Sequence, residues 1–467
     1  MTAIDILVGV LAGARNELLL FASVGLVVGG LDDFVIDCLY GARRLGRAAT
    51  IYRRYPRMTA DRLPPSNRPG TMAVFIPAWD EGAVIGPMLR HSFARWPDDD
   101  LHIFVGVYPN DPASILAVAE IGTRHPGRLT MVVNPLPGPT TKADCLNGLW
   151  RALLRWEEER GKAAKAIVLH DAEDVVHADS LRVLSAMIDR FALVQLPVLP
   201  LVNSRSRLVA GHYCDEFAEA HAKALLVREA LGAALPSAGV GCALARDSLG
   251  ALARARGGRP FDPDSLTEDY ELGLRIGEQG GRCVLVRMRD GRGELVATRE
   301  YFPDTIAGAV KQKARWTVGI ALAGWDRLGW GKGLVEGWMR LHDRRSILSA
   351  VVLAAAYAGL LAMVLVQLAV WTDIAAPVPL PDPLPLLMAI NATFLLWRLA
   401  VRMLFVNRAY GWREALLSVP RMIVANMIAM MAARRAIILY IRLWAGGSLR
   451  WDKTTHRFPD LDPQGMP

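Results

Sequence analysis

Hydrophobic and polar positions divide the chain into long apolar runs toward its two ends and a middle region where short β-rich runs alternate with helical patterns. Ile347 to Trp371 carries no charge and exceeds the roughly 20 residues that take a helix across a bilayer. Leu384 to Val406 predicts a second span, although it holds Arg398 and Arg402, whose stems can snorkel or face other helices. Near the start, Leu18 to Leu31 is short before Asp32 and Asp33, but continued through FVIDCLY to Tyr40 it reaches spanning length. Asp5 precedes any basic residue, which suits a retained anchor rather than a signal peptide. A fourth stretch, Ala415 to Leu443, contains Arg421, Arg434, Arg435 and Arg442. Crossing there would export Arg450, Lys453 and Arg457, so this stretch is expected to lie in the inner interface with its arginines toward headgroups.

Between Thr71 and about Arg345 the alternation predicts a mainly parallel sheet flanked by helices, an α/β fold. The readable strands are Thr71–Ala78, Leu101–Tyr108, Leu129–Asn134 and Lys165–Asp171. Ligands of such sheets bind beyond the strand carboxyl ends, which directs attention to the polar residues that follow them. These are Asp80 and Glu81 after Pro77, Asn110 and Asp111 after the second strand, and Asp171, Glu173 and Asp174 after the fourth. Any one of these groups reads as an ordinary turn; three together suit a nucleotide held through a divalent metal. Lys142 follows a Pro/Gly turn and opens a helix, where an ammonium can meet an anion or simply face water. Ser265 and Glu268 have capping-box spacing, which accounts for Glu268 structurally and leaves Asp269 as a candidate base at a helix start. Gln312, Arg315 and Trp316 fall on nearly one helical face. The phosphate-cradling glycine loops of P-loop and dinucleotide folds are missing from the first strand–helix turn. His170 beside Asp171, with His177 beyond, suggests a hydrolase metal cluster, but the other histidines that would complete it are not spaced for one face.

Composition sharpens this picture. Apolar residues make up 52% of the chain, charged ones 21%, and the mean hydropathy is +0.23, which excludes a disordered protein and fits a membrane protein. Five widely separated cysteines with no C-x-x-C pair fit a reducing compartment. The net charge of +8 comes largely from arginines flanking the apolar runs. No basic stripe with interleaved aromatics crosses the middle region, so nucleic acid is not an expected partner. Arg43, Arg44, Arg47, Arg53, Arg54 and Arg57 follow the first span, and Arg340, Arg344 and Arg345 precede the second, which places the middle region in the cytoplasm.

The ordered set IPAWDE, YPND, KADCLN, DAED, TED and Q-x-x-R-W, followed by membrane helices, resembles the membrane-bound, polysaccharide-forming glycosyltransferases of family 2. The resemblance covers nearly the whole chain. It implies a GT-A-type (Rossmann-like) domain embedded between transmembrane helices: an anchor over 1–40, a basic linker over 41–71, the transferase domain over 72–345, two spans over 346–408, and an interfacial helix with a cytoplasmic tail over 409–467. It also implies an inverting, metal-dependent hexosyltransferase of the bacterial inner membrane that builds a surface or secreted polysaccharide from a UDP-N-acetylhexosamine. Transfer to a lipid acceptor and a receptor or scaffold with a vestigial site are the alternatives.

By position, the resemblance gives Pro77, Asp80, Glu81, Asn110 and Asp111 to the uridine part of the donor, with Lys142 nearby. It gives Asp171 and Glu173 to Mg²⁺ or Mn²⁺, with Asp174 as a rival ligand, and makes Asp269 the base beside Glu268. Gln312, Arg315 and Trp316 would flank the diphosphate and acceptor, and Lys453, Thr454 and His456 would close over the donor. The family usually has Asn where this chain has Asp80. Some members continue into a module that binds cyclic di-GMP, which is not expected before Pro467, so regulation by that nucleotide would need a separate regulatory protein; a separate export protein is a further candidate partner.

Overall fold

The structure is a computed structural model that describes residues 3–97, 100–447 and 457–459. Lys453, Thr454 and His456 lie outside the described residues. The chain opens with α1 (Ala3–Ala49), one unbroken helix about 70 Å long at the usual rise, followed by the single turn α2 (Ile51–Arg54). It therefore carries the first span past Tyr40 and through Arg43, Arg44 and Arg47 without a break.

The middle region then runs β1 (Met72–Pro77), α3 (Ile85–Arg95), β2 (Leu101–Val107), α4 (Pro112–Arg124), β3 (Leu129–Val133), α5 (Lys142–Arg160) and β4 (Ala166–Leu169). It continues through α6 (Ser180–Met187), β5 (Leu193–Gln195), α7 (Gly211–Glu219), α8 (Leu225–Ala230), β6 (Cys242–Ala245), α9 (Arg246–Ala255), α10 (Glu268–Glu278), β7 (Cys283–Leu285) and α11 (Ile306–Thr317). Two short helices, α12 (Ala323–Leu328) and α13 (Leu334–Arg344), lead to the long α14 (Ser346–Trp371), α15 (Leu384–Tyr410) and α16 (Trp412–Trp444).

The strands form one seven-stranded sheet in the order β3-β2-β1-β4-β6-β5-β7. The four strands legible in the sequence pair in parallel, with Phe75 opposite both Phe104 and Leu169. β1, β2 and β4 are buried along their whole length, as expected of continuous apolar runs covered by helices on both faces. β6 runs antiparallel to both β4 and β5. The sheet is thus mixed, and its parallel half sends β1, β2 and β4 toward one edge.

Among the described residues four helices, α1 and α14 to α16, are long and apolar enough to cross a membrane. α1 and α14 approach closely at small residues: a Cβ at Gly359 would lie 2.8 Å from Leu19 Cδ2, and one at Gly25 would lie 2.5 Å from Val352 Cγ2. Charged contacts fasten these helices to the middle region. Asp32 meets Trp338 Nε1 at 2.6 Å, His342 Nδ1 at 2.6 Å and Arg345 at 2.7 Å. Arg398 and Arg402 of α15 both reach Glu219 at the end of α7, the latter at 3.5 Å, so they face the domain rather than lipid.

α16 lies along the domain. Its buried residues Glu414, Ser418, Arg421, Ala425, Ile428, Ala432 and Ala436 make one stripe. Ile428 packs with Val310 and Phe302, and Ala432 and Ala436 pack with Ala314 and Val318. Arg421 departs from the expectation that this helix turns its arginines to headgroups. It is fully buried, with Nη1 3.0 Å from Asp215 and Nη2 on Glu414. Packed against α7, this arginine finds Asp215 on that helix and Glu414 two turns earlier on its own, a pairing across helices that the local sequence pattern does not show. Beyond α16, Phe458 packs into the domain core, its ring centroid 6.1 Å from that of His91 on α3.

Candidate active site

The helix α5 begins with a reciprocal cap, Thr141 and Asp144 each bonding the other's backbone N–H, and this fixes Lys142 as its first residue. Lys142 Nζ sits 2.6 Å from Asp171 Oδ1, just beyond β4, and 4.0 Å from Glu268 Oε1, the first residue of α10. Pro77 at the end of β1, Lys142, His170, Gly239, Glu268 and Asp269 line one small cavity with Leu146, Leu169 and Phe261. Residues from five separate parts of the chain therefore meet beyond the carboxyl ends of β1 and β4. Lys142 does not face bulk water; its side chain is 17% exposed.

The capping explanation of Glu268 does not hold. Thr267 is the residue before α10 and makes no side-chain cap, while Ser265 Oγ accepts from Thr267 N at 3.4 Å. Glu268 is instead turned into the cavity. Asp269 Oδ1 accepts from the N–H of Tyr270 at 2.7 Å, and its other oxygen lies beside Gly239. Gly239 has φ of +74°, and a Cβ there would fall 2.5 Å from Asp269 Oδ2. Only glycine meets both demands.

The electrostatics follow from crowding. Burial works against the charge on Lys142, but Asp171, Glu268 and Asp269 outweigh it and hold the ammonium above the ordinary lysine range. Burial, then the neighbouring Asp269, pushes Glu268 up to about 7. Burial also raises Asp269, opposed by Lys142 and Arg315. Glu300 stands beside the same group: burial first, then Asp174, Glu173 and Asp171, hold its carboxyl well above the usual range.

The turn after β4 is built around Asp174. Its Oδ2 meets His170 Nδ1 at 2.6 Å and accepts from the N–H of Asp171 at 3.1 Å, and Oδ1 is buried without a hydrogen bond. Val175 and Arg299 exchange backbone hydrogen bonds of 2.7 and 3.0 Å, which brings Glu300 to the turn. Asp171, Glu173, Asp174 and Glu300 thus crowd one turn and act on one another electrostatically, with Asp171 paired to Lys142; among the described residues, the groups whose ligand atoms lie together, Asp32 with Asp33 and His342, and His177 with Asp179 and Asp290, are elsewhere. Glu173 is 4% exposed and Asp171 more open, so access is from the Asp171 side.

At the other strand ends the side chains build loops. Asp111 caps α4 by accepting from Ser114 N at 3.2 Å and also accepts from Asp80 N at 2.6 Å. Asp80 adopts φ of +55°, a conformation that Asn and Asp tolerate better than most residues, so Asp can stand where the resembling sequences have Asn. Asn110 clasps Gly138 with two hydrogen bonds of 2.8 Å, one from Nδ2 to the carbonyl and one accepted from the N–H. The Glu81 N–H donates to Ser114 Oγ at 3.0 Å. α11 presents Gln312 and Arg315, whose Oε1 and Nε are buried without hydrogen bonds, and Arg315 acts electrostatically on Glu268 and Asp269. Trp316 packs among Tyr213, Phe217 and Phe302, with centroids 6.1 to 6.5 Å away.

The profile described as glycosyltransferase like family 2 matches residues 69–319, more than half of the chain. The chain belongs to this family. Bacteriophage adsorption protein B of Escherichia coli K12 and bacteriophage N4 adsorption protein B of Escherichia coli O157:H7 are each 37% identical over 461 residues, covering 94% of this chain and 62% of their own length. The chain thus spans less than two thirds of these relatives. Among solved structures, a mannosyltransferase from Pyrobaculum calidifontis in complex with GDP-Man and Mn²⁺ is 16% identical, with a TM-score of 0.46, over 86% of this chain and 99% of its own. Glucosyl-3-phosphoglycerate synthase from Mycobacterium tuberculosis is 16% identical, with a TM-score of 0.35, over 59% of this chain and 85% of its own.

Sequence reasoning missed two members of the site. Glu300 reaches it through the pairing of residues far apart in the chain, and the REYFPDT segment gave no local sign of it. Gly239 was within reach: a PSAGVG run with two glycines, both at positive φ, signals close backbone approach.

Proposed function

We propose that this chain transfers a sugar from a UDP-sugar, a UDP-N-acetylhexosamine, to a growing glycan at the inner face of the bacterial inner membrane, with inversion at the anomeric carbon. The observation that carries the reading is the meeting of Lys142, Asp171, Glu268 and Asp269 beyond β1 and β4, within electrostatic reach of Arg315 on α11. Family membership supplies the reaction class.

Asp171 and Glu173 would hold Mg²⁺ or Mn²⁺, which when bound neutralises diphosphate charge as the donor bond weakens. Lys142 and Arg315 stabilise the same departing charge from the protein side. Asp269 takes the proton of the attacking acceptor hydroxyl, and its position beside Gly239 keeps the carboxylate fixed for that transfer. Glu268 sits between Lys142 and Asp269 and tunes both. One base and direct displacement require no covalent sugar on the enzyme. The intact set of acids does not suit a vestigial site.

The same reading includes three crossings, by α1, α14 and α15, with α16 in the inner interface. Phe458 touches the domain that lies between α1 and α14. Two crossings after that domain return the chain to its side, whereas a third would leave Phe458 across the bilayer. A reporter fused at Pro467 should read cytoplasmic.

The test is a panel of UDP-sugars with Mn²⁺ and purified full chain, with products sized. Release of UDP with one hexosamine donor and a polymeric product is expected. Lipid-linked sugar as the sole product would replace the glycan acceptor, and no release with any donor would remove the reading.

A further inference from the structure

A second cavity, about 930 Å³, lies apart from the sugar site, where the cytoplasmic ends of α1 and α15 meet the β7 edge of the domain. Eight arginines and two glutamates line it. Arg47 and Arg57 come from the end of α1 and the segment after it, Arg287 and Arg289 from the chain following β7, and Arg408 from the end of α15. Among the described residues, Glu229 beside Arg43, at 3.6 Å, is the acid that reaches an arginine of this set. Arg47, Arg57 and Arg287 are held by neutral groups. Arg47 Nη2 donates to Tyr52 Oη at 3.0 Å while its Nε is buried without a hydrogen bond. Arg57 stacks 4.4 Å from the Tyr52 ring centroid, and Arg287 Nη1 donates to the His221 carbonyl at 3.0 Å.

So many guanidinium groups facing one space repel one another unless an anion enters it, and guanidinium forks suit phosphate oxygens in particular. The cavity also has an apolar side, with Tyr40 and Phe405 in edge contact at 5.4 Å beside Leu226 and Ala409. Tyr40, Phe405 and Ala409 of that side belong to α1 and α15, two of the helices long and apolar enough to cross a membrane, where basic residues meet anionic headgroups.

We infer that this cavity is a binding site for a phosphate-bearing ligand, filled from the inner leaflet by the headgroup of an anionic phospholipid. The aromatic side receives the glycerol and first acyl carbons, and the arginines receive the phosphate. The inference does not rest on sugar transfer and stands or falls separately from it.

The experiment is native mass spectrometry of the full chain, purified in detergent and exposed to a mixture of phosphatidylglycerol, cardiolipin and phosphatidylcholine. The wild type should retain an anionic lipid in preference to the zwitterionic one. Arg47→Gln combined with Arg287→Gln should weaken that retention about thirtyfold, while Arg47→Lys with Arg287→Lys keeps most of it. Arg57→Gln with Arg408→Gln, both at exposed positions, should lower retention in the same direction should the first pair not fold. A separate arm adds inorganic pyrophosphate to lipid-stripped protein. Thermal stabilisation there, lost in the glutamine variant and without lipid preference in the first arm, would assign the phosphate site to a soluble ligand. Equal lipid retention by wild type and glutamine variants, with no response to pyrophosphate, would overturn the inference.

Discussion

Lys142→Met would leave Asp171, Glu268 and Asp269 around the cavity without their nearest ammonium. The Lys142 and Asp171 side chains are 17% and 29% exposed, so their 2.6 Å contact is only partly screened. Removing one partner of a buried pair costs about 3 kcal/mol at the low end of the usual range, which suits this partial exposure. For a domain of this size that corresponds to a fall in Tm of about 6 to 12 °C. The pH dependence gives a sharper check. Lys142 is raised above its ordinary value, so its stabilisation is fully present below that value, which covers the accessible range. Glu268 is raised to about 7, so its favourable contribution is complete below the ordinary glutamate value and is lost as pH rises through about 7. Without Lys142 the carboxyl is raised further, and ionising it at pH 8 is opposed by two uncompensated neighbours. The deficit in Tm, measured by scanning fluorimetry of the detergent-purified protein, should therefore be larger at pH 8 than at pH 5.5. A deficit of less than about 1 °C at both values, or one larger at pH 5.5, would refute the view of Lys142 as the counterion of this cluster.

Glu268→Gln removes one negative neighbour of Asp269, so the acid limb of the pH profile of UDP release should move to lower pH while the protein stays folded; an unmoved limb would separate the two carboxyls. Gly239→Ala places a methyl 2.5 Å from Asp269 Oδ2 at a strained φ, and a fall in turnover of about tenfold or more at nearly constant UDP affinity is expected. Arg421→Leu strands Asp215 in the contact between α7 and α16, leaving Glu414 with Arg207 alone, and should cost about 3 kcal/mol, read as loss of folded protein on extraction.

The first four strands were legible because each is an apolar run of four to seven residues ended by a polar group. β5 and β7 were not, since Leu193–Gln195 and Cys283–Leu285 have three residues each, and β6 was not, since Cys242–Ala245 has no β-branched or aromatic residue to mark it as a strand. β6 packs against α6 and α9 and β7 against α8 and α10, contacts that no local pattern shows. At the site, the strand-end rule led to Asp171 and the helix-start reading to Lys142 and Asp269. It did not separate side chains that face the cavity from those that build loops. Asp111 and Asn110 follow a strand just as Asp171 does, yet their hydrogen bonds go to Asp80 and Gly138. Spacing equally could not tell that Ser265 would serve Thr267 and leave Glu268 to the cavity. The charged residues of the long apolar helices were visible as exceptions, but their partners, Glu219 for Arg398 and Asp215 for Arg421, lie 179 and 206 residues away in the chain.

The most direct test of the proposed chemistry is UDP release by Asp269→Asn with Mn²⁺ and the preferred UDP-sugar, measured beside UDP affinity. The account predicts a loss of turnover of about 10² to 10⁴, as expected for removal of a positioned base, with UDP binding within a few-fold of the wild type. Turnover equal to the wild type would contradict it and take Asp269 out of the reaction.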